Sequence, residues 1–281
     1  MNTVPHSLGV DKPSFNVPKD ACDCHMHLFD NRVPFAKGTQ LIHPDATVED
    51  YQALQKRLGL SRCVIVQPSS YGLDNRVMLF GLQKLGKNAR GIAVVTPAIS
   101  NEELRFLHSQ GVVGVRFNLV QTGATDTTML EAVAQRIKEF GWHIQVHLRN
   151  EDLLKISDRL SNLGVAVVLD HFARARESTE LAHSNDRVVN ELMSTGNVWI
   201  KLSGAYIASK KEPDFNDLDS FVDQLLKQHG DRIVWGTDWP HVTEPEKPND
   251  ASLINLLARW IPDEQTRNNI LVQNPKNLYQ F

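Results

Sequence analysis

The 281-residue chain lacks several features that would assign it to a specialised class of protein. It has only three cysteines, an odd number with Cys22 and Cys24 on one short segment, which argues against a disulfide framework and indicates a reducing compartment. Its charges nearly balance, with 30 Lys and Arg against 33 Asp and Glu and no basic block, so no binding to nucleic acid or acidic membranes is predicted. Small-molecule chemistry is the remaining expectation.

The sequence also lacks a signal peptide and a membrane-spanning stretch. Residues 1–17 contain no cationic start followed by an apolar run. The longest apolar runs, such as residues 165–169, fall far short of the ~20 residues that cross a bilayer. We therefore expect a cytoplasmic protein.

Short β-branched apolar runs alternate with longer segments of helical period, and this alternation occurs eight times. Helix starts are marked by capping-box pairs, as at Thr47 with Asp50 and at Ser100 with Glu103. The predicted strands are residues 21–29, 62–68, 91–96, 112–118, 143–148, 166–171, 198–203 and 233–238.

Eight such strands in roughly 250 residues predict an α/β fold, a (β/α)8 TIM barrel. We expect one domain over residues 1–281, with residues 1–20 as an N-terminal extension. A doubly wound sheet is the alternative, but residues 28–31 after the first strand lack its Gly-rich turn. The barrel places the active site at the carboxyl ends of the strands.

Strand one ends in a His-x-His pair, His25 and His27. Because side chains alternate along a strand, we expect Asp23 to share the face of the histidines. Cys22, Cys24 and Met26 should then take the other face and pack against the helical layer. Two imidazoles at the end of a buried strand must be hydrogen-bonded or metal-bound, which favours a functional role.

Strands six and eight deliver the other two candidates for catalysis, His171 and Asp238. We expect Asp170 on the opposite face of its strand, as a local structural partner. A lone Asp after a strand usually caps the next helix. Combined with three histidines at strand ends of the same barrel, Asp238 is more readily interpreted as catalytic.

The remaining strand ends carry candidates for substrate binding. Arg116 and Arg174 have the planar guanidinium that matches a carboxylate, so both are predicted to bind an anionic group. The other polar candidates are Gln67, Ser69, His147, Ser203 and His241.

Taken together, these motifs resemble the amidohydrolase superfamily, in the branch of 2-pyrone-4,6-dicarboxylate lactonase and related sugar-lactone hydrolases. The resemblance spans nearly the whole chain. It is carried by residues 23–27, 114–118, 170–174 and 235–241 and by Asn274-Pro275 with Leu278-Tyr279.

The resemblance implies that His25, His27 and His171 surround a scissile carbonyl while Asp238 activates water. It also implies that Arg116 and Arg174 hold substrate carboxylates, with Ser69 assisting. The chain departs from the dicarboxylate lactonase at His147, where that enzyme has an aromatic residue, so the identity of the lactone is left open. Arg116 stands where binuclear members carry a lysine that can be carboxylated, so a binuclear centre is not expected.

A single divalent ion such as Zn²⁺ is left as an alternative, with His25, His27, His171 and Asp238 as its ligands and His147 as a substitute for His171. An ion would lower the pKa of its bound water. Without it, the imidazoles would stabilise the oxyanion and Asp238 would remove the proton, as the resemblance implies. No organic cofactor is expected.

The predicted function is a hydrolase that opens a small, carboxylated lactone, with the anionic lactone as its partner. A lactone isomerase, a metal-dependent decarboxylase and an inactive binding barrel are the alternatives. The presence of His25, His27 and Asp238 together favours hydrolysis over isomerisation. A homo-oligomer is compatible with the sequence.

Overall fold

Runs of β-branched and aliphatic residues form eight parallel strands in the computed structural model, which describes residues 3–121 and 123–281. Each strand pairs with the next one in the chain. The strands are β1 (Cys22–Met26), β2 (Arg62–Val66), β3 (Ala89–Ala93), β4 (Val112–Asn118), β5 (His143–His147), β6 (Val167–Leu169), β7 (Val198–Ser203) and β8 (Ile233–Gly236).

Backbone hydrogen bonds join the last strand to the first. The Asp238 N–H donates to the His25 carbonyl at 2.8 Å, and the His27 N–H donates to the Trp239 carbonyl at 2.8 Å. The predicted (β/α)8 barrel is therefore confirmed.

Helices connect successive strands and cover the outside of the barrel. Both predicted capping boxes are present, at Thr47 with Asp50 and at Ser100 with Glu103. The helices are α1 (Val48–Leu58), α2 (Arg76–Leu85), α3 (Asn101–Ser109), α4 (Leu130–Ile137), α5 (Asn150–Ser161), α6 (Ala182–Ser194), α7 (Ala205–Ala208), α8 (Asp219–His229), α9 (Asp250–Trp260), α10 (Glu264–Asn268) and α11 (Asn274–Tyr279). Among the described residues, none of these helices is long and apolar enough to cross a bilayer.

The expected N-terminal extension packs along the outside of the barrel. Met1 and Asn2 lie outside the described residues, as does Thr122. The Trp239 indole donates to the Pro5 carbonyl at 3.0 Å, and the Ser14 N–H donates to the Asn255 side chain at 2.7 Å.

Six strands end one to three residues earlier than predicted, and after two of them, β6 and β8, the backbone turns left-handed. The four residues 171–174 have φ of 52°, 56°, 50° and 51° after β6, and Asp238 has φ of 65° after β8. Residues other than glycine pay ~1–2 kcal/mol each for this conformation. Such strain concentrates at functional sites, and here it coincides with two predicted catalytic residues.

The side chains of β1 do not alternate between the two faces as expected. Asp23 pairs with Cys63 and Met26 with Ile65, so β1 advances three residues while β2 advances two. One residue is therefore extra, which is a β-bulge. Across the bulge, Cys24 and His25 both face the barrel interior, whereas Asp23 faces outward to Tyr51 on α1.

The expected packing of Cys22 and Cys24 against the helical layer was therefore wrong. Both lie in an apolar layer inside the barrel, with valines from four other strands and with Leu278 and Tyr279 of α11. Helix α11 thus closes the amino end of the barrel. The polar residues gather above this layer, toward the carboxyl end.

Candidate active site

A buried ammonium group forms the floor of the site. Lys201 Nζ donates to Gln145 Oε1 at 2.7 Å and lies 3.2 Å from Asp170 Oδ1 and 3.3 Å from Nδ1 of His25. Burial alone would raise the pKa of Asp170, but Lys201 and His25 bring it well below its usual range. Asp170 is therefore an ionised partner of Lys201.

This placement corrects the expectation that Asp170 lies on the opposite face of its strand. Val168 faces the interior of the barrel, and Asp170, two residues further on with extended backbone, faces the same way. The left-handed conformation of His171 then turns that side chain inward as well. Gln145 Nε2 donates to Asp170 Oδ2 at 2.9 Å, which fixes the carboxylate there.

Three imidazoles and one carboxylate converge above this floor. Nε2 of His25 and Nε2 of His27 each lie 3.5 Å from Oδ1 of Asp238. The His171 ring lies 4.7 Å from the His25 ring, measured between centroids. The structure thus brings together all four residues that the sequence predicts for catalysis.

The hydrogen-bond partners of the rings decide what each imidazole presents to the site. His27 Nδ1 lies 2.7 Å from the Val66 carbonyl oxygen, and His171 Nδ1 lies 3.1 Å from that of Ser203. A carbonyl only accepts, so both Nδ1 atoms carry a hydrogen, and Nε2 presents a lone pair to the site when the ring is neutral.

His25 differs, because its Nδ1 lies between a donor and an acceptor. The donor is Lys201 Nζ at 3.3 Å, and the acceptor is Asp170 Oδ1 at 3.4 Å. His25 can therefore present either an N–H or a lone pair at Nε2. Burial lowers the pKa of His25 and of His171 below the usual value of an imidazole.

Asp238 is held as a carboxylate by its surroundings. The Tyr206 hydroxyl donates to Oδ2 at 2.8 Å. Burial would raise the pKa of Asp238, but His171 and His27 lower it well below the usual range. Asp238 is therefore ionised, which is the proton-accepting form that a general base needs.

A cavity of about 430 Å³ that opens to solvent lies over this cluster. One wall carries Arg116, His147 and Ser69, and the Asn118 amide donates to Ser69 Oγ at 2.7 Å. The other wall is apolar and includes Phe29, Leu41, Ile207 and Val242. A small ring with one anionic substituent matches these two walls.

Among the described residues, Arg116 is the arginine whose side chain lines this cavity. It lies 3.9 Å from Asp170 Oδ2 and donates a long hydrogen bond of 3.4 Å to the Gln67 carbonyl. Its buried Nε has no hydrogen-bond partner among the described residues. The group therefore retains donors for a ligand.

Arg174 lies behind the cavity wall. One of its terminal nitrogens donates to Glu177 Oε1 at 2.8 Å, and the other lies 3.2 Å from His147 Nε2. Arg174 therefore reaches the cavity through His147, which stands between the two.

Three other predicted substrate-binding residues also stand outside the cavity lining. Gln67 donates its amide to the Asp74 carbonyl at 2.7 Å. Ser203 Oγ lies 3.1 Å from Nδ1 of His171 and supports that ring. His241 lies 2.8 Å from the Tyr206 hydroxyl, on the far side of Asp238.

Sequence reasoning did not assign a role to Tyr206 or Lys201. Tyr206 stands in the short apolar helix α7, so its sequence context is that of a core residue. Lys201 is a charged residue within the largely apolar strand β7. Charged residues are rarely fully buried unless paired, so that lysine was a usable signal.

The donor set fits a single divalent ion. Within the described part of the chain, Nε2 of His25 is buried without a hydrogen-bond partner, and His25, His27 and Asp238 can direct ligand atoms to one point. His27 and His171 have their second ring nitrogen on a backbone carbonyl, which is how proteins orient metal-binding histidines.

Comparison with known proteins agrees with this geometry. The profile of a family described as Amidohydrolase matches residues 22–281. A 4-sulfomuconolactone hydrolase of Rhizobium radiobacter is 34% identical over 95% of this chain and 92% of its own length. A 2-pyrone-4,6-dicarboxylate hydrolase of Comamonas testosteroni is 33% identical over 95% and 92%.

Two further relatives cover nearly the full length. A D-galactarolactone isomerase of Agrobacterium fabrum is 29% identical over 100% of this chain and 98% of its own. A crystal structure of an Agrobacterium tumefaciens protein superposes with a TM-score of 0.90 at 28% identity, covering 98% of each chain. On the strength of the profile match and these relatives, the chain is an enzyme that belongs to the amidohydrolase family.

Proposed function

We propose that this enzyme hydrolyses the ring ester of a small lactone that carries an anionic group. The observation that carries the proposal is the ionised Asp238 beside three imidazoles, at the floor of a cavity that also contains Arg116. The sulfomuconolactone and pyrone-dicarboxylate hydrolases among the relatives support this chemistry.

Asp238 acts as the general base. As the oxygen of a water molecule adds to the lactone carbonyl carbon, Oδ1 of Asp238 takes one water proton and the carbonyl oxygen becomes an oxyanion. When the carbonyl re-forms, the ring C–O bond breaks and the departing alkoxide takes the proton back from Asp238. The product is a hydroxy acid, which releases its own proton at neutral pH.

The three imidazoles have different roles, because one donates a hydrogen bond and two accept hydrogen bonds. His25, with Lys201 donating to its Nδ1, offers an Nε2–H that can donate to the oxyanion. His27 and His171 offer lone pairs, which accept hydrogen bonds from the attacking water and align it with Asp238.

Arg116 binds the anionic substituent, and the apolar wall receives the ring. Ser69, held by Asn118, is available to the same substituent. His147 stands next to Arg116 with its Nδ1 buried and unpartnered, so it is a further contact for the substrate. Arg174 supports this wall through His147.

A divalent ion such as Zn²⁺ would be held by His25, His27 and Asp238, with His171 as a neighbouring ligand. When bound, it would supply Lewis acidity and a water of lowered pKa. Metal analysis of the purified protein, followed by activity measurement before and after a chelator, decides whether turnover needs the ion.

We further propose that the reaction is catabolic and takes place in the cytoplasm. The three cysteines are free thiols, as a reducing compartment would keep them.

The proposed function is tested with a panel of aldonolactones, muconolactones and pyrone dicarboxylates in a pH-stat. Hydrolysis releases one acid equivalent per turnover, whereas an isomerase consumes lactone without acid release and a decarboxylase releases CO2. The isomerase outcome has a specific precedent in the galactarolactone isomerase relative. Lactone consumption without acid release would replace hydrolysis by isomerisation.

Arg116→Met tests the anion contact. We expect KM for acidic lactones to rise by at least about tenfold, because the variant loses a charge-assisted hydrogen bond. KM for neutral lactones should change less than about twofold. Arg174→Met is the matched comparison, and we expect a smaller rise because His147 stands between Arg174 and the cavity. Equal effects on acidic and neutral lactones would contradict the anion contact.

A further inference from the structure

A buried line of polar side chains leads away from the catalytic carboxylate. The Tyr206 hydroxyl lies 2.8 Å from Oδ2 of Asp238 and 2.8 Å from Nδ1 of His241. Nε2 of His241 lies 3.2 Å from Oδ2 of Asp250. Neither Tyr206 nor His241 lines the cavity, so neither contacts a bound ring.

The far end of this line is anchored to the N-terminal segment and to α1. Asp250 accepts a hydrogen bond from the Ser7 hydroxyl, and Arg57 of α1 donates to the same serine. The Arg57 guanidinium also lies 3.8 Å from Asp250 Oδ2. Asp250 is fully buried at this end of the line.

The backbone at Gly204 allows these side chains to approach Asp238. Tyr206 stands on α7, which begins after Gly204 at a φ of 56°. A Cβ at Gly204 would lie 3.2 Å from both Asp238 Oδ2 and His171 Nδ1. Glycine therefore supplies both the left-handed turn and the close approach that bring Tyr206 to the base.

The two oxygens of Asp238 are thereby made different. Oδ2 accepts from Tyr206, whereas Oδ1 lies 3.5 Å from the Nε2 atoms of His25 and His27 with no closer polar partner among the described side chains. A free carboxylate could rotate and exchange its oxygens. The hydroxyl holds one oxygen, so the other stays directed at the position of the attacking water.

His241 and Asp250 hold the hydroxyl itself. A carboxylate only accepts, so the Tyr206 hydrogen points at Asp238, and the Tyr206 oxygen accepts from Nδ1 of His241. His241 thus contacts Tyr206 through Nδ1 and Asp250 through Nε2, and a buried network of this kind holds its members in place.

From this geometry we infer that Tyr206 is a positioning residue for the general base, held in turn by His241 and Asp250. The inference rests on the proposed function for the role of Asp238. Its effect is on kcat, because the oxygen that Tyr206 fixes acts in the chemical step, while ring binding depends on Arg116 and the apolar wall.

The test compares two tyrosines that make the same contact in different places. Tyr206→Phe deletes the hydroxyl on Asp238, and Tyr51→Phe deletes a buried hydroxyl that donates to Asp23 Oδ2 at 3.0 Å, outside the site. With the best lactone, we expect Tyr206→Phe to lower kcat about 10- to 100-fold, with KM changed less than about twofold. Tyr51→Phe should lower thermal stability and leave kcat within about twofold.

His241 provides the second measurement. His241→Leu should lower kcat less than Tyr206→Phe does, and His241→Gln should recover part of that loss because its amide can still donate to the Tyr206 oxygen. Wild-type kcat in Tyr206→Phe, a change in KM alone, or an equal loss of kcat in Tyr51→Phe would each overturn the inference.

Crystal structures of the wild type and Tyr206→Phe keep this test separate from the proposed function. We expect the Asp238 carboxylate to stay near His25 and His27 in the wild type and to rotate away in the variant. If the wild type hydrolyses no lactone, the proposed function fails, and the carboxylate orientation still decides the role of Tyr206. An unmoved carboxylate in the variant would overturn that role.

Discussion

Two buried aspartates lie on opposite faces of the junction between β1 and β8, and they accept different numbers of hydrogen bonds. Asp23 accepts four hydrogen bonds: from the backbone of Thr237 at 2.9 Å and of His25 at 3.0 Å, and from the hydroxyls of Thr237 at 2.6 Å and Tyr51 at 3.0 Å. Asp238 accepts one from Tyr206 and leaves Oδ1 facing imidazoles at 3.5 Å. Asp23 ties the strands together, and Asp238 keeps an oxygen for chemistry.

Their proton affinities also diverge. Burial raises the pKa of Asp23 to about 6, because its four donors are uncharged and only partly offset the loss of hydration. Burial acts on Asp238 as well, yet His171 and His27 lower its pKa well below the usual range. Burial alone therefore does not decide whether a carboxylate can serve as a base; its neighbours do.

The largest difference between the two aspartates should appear in turnover. We expect Asp238→Asn to lower kcat by about 10² to 10⁴, the usual contribution of a general base. Asp23→Asn should leave kcat within about threefold, since the amide oxygen still accepts from both backbone donors. Steady-state kinetics of the two variants on one lactone checks this, and a comparable loss in both would erase the distinction.

The next difference concerns the pH dependence of folding. The folded-state pKa of Asp23 lies above its unfolded value, so its contribution to stability is present at pH 4 and is lost as the pH rises to about 6. Relative to Asp23→Asn, the wild type should lose up to about 3 kcal/mol of unfolding free energy across this range. Asp238 has the opposite sign, because its depressed pKa favours folding above pH 4.

Denaturant titrations of wild type, Asp23→Asn and Asp238→Asn at several pH values measure these slopes. Parallel curves for the wild type and Asp23→Asn would show that Asp23 keeps an ordinary pKa when folded.

The smallest expected effect lies at the residue that joins the two sites. Thr237 donates to Asp23 through its hydroxyl, and it directly precedes Asp238. Thr237→Val should lower the unfolding free energy by about 1–3 kcal/mol, because a buried acceptor loses a donor, and should change kcat less than about threefold. Thr237→Ser should restore the stability. A loss of kcat that exceeds the loss of stability would place Thr237 with the catalytic aspartate.

Much of this architecture could be predicted from the sequence. Strands buried on both faces are continuous apolar runs, so all eight could be located, and the carboxyl ends of parallel strands must meet. That rule was enough to bring His25, His27, His171 and Asp238 together from positions far apart in the chain.

The rest required coordinates because it depends on local departures from regular geometry. The bulge at Cys24 reverses the face of Asp23, and the left-handed conformation at His171 turns that side chain to the same inner face as Asp170. The regular alternation of side chains along a strand predicts neither of these features. Tyr206 was not assigned a role for a different reason: an aromatic residue between apolar neighbours has the pattern of a core residue, and its hydroxyl contact depends on the turn at Gly204.

The extra residue in β1 also governs which changes in length this strand can accept. Removing Cys24 would leave Asp23 opposite Cys63 and Met26 opposite Ile65, with His25 alone opposite Val64, so register and faces would both survive. Removing Met26 instead would carry His27 to the outer face of the barrel. Homologous chains that are one residue shorter here should therefore have lost the position of Cys24, while the spacing between the two histidines stays fixed.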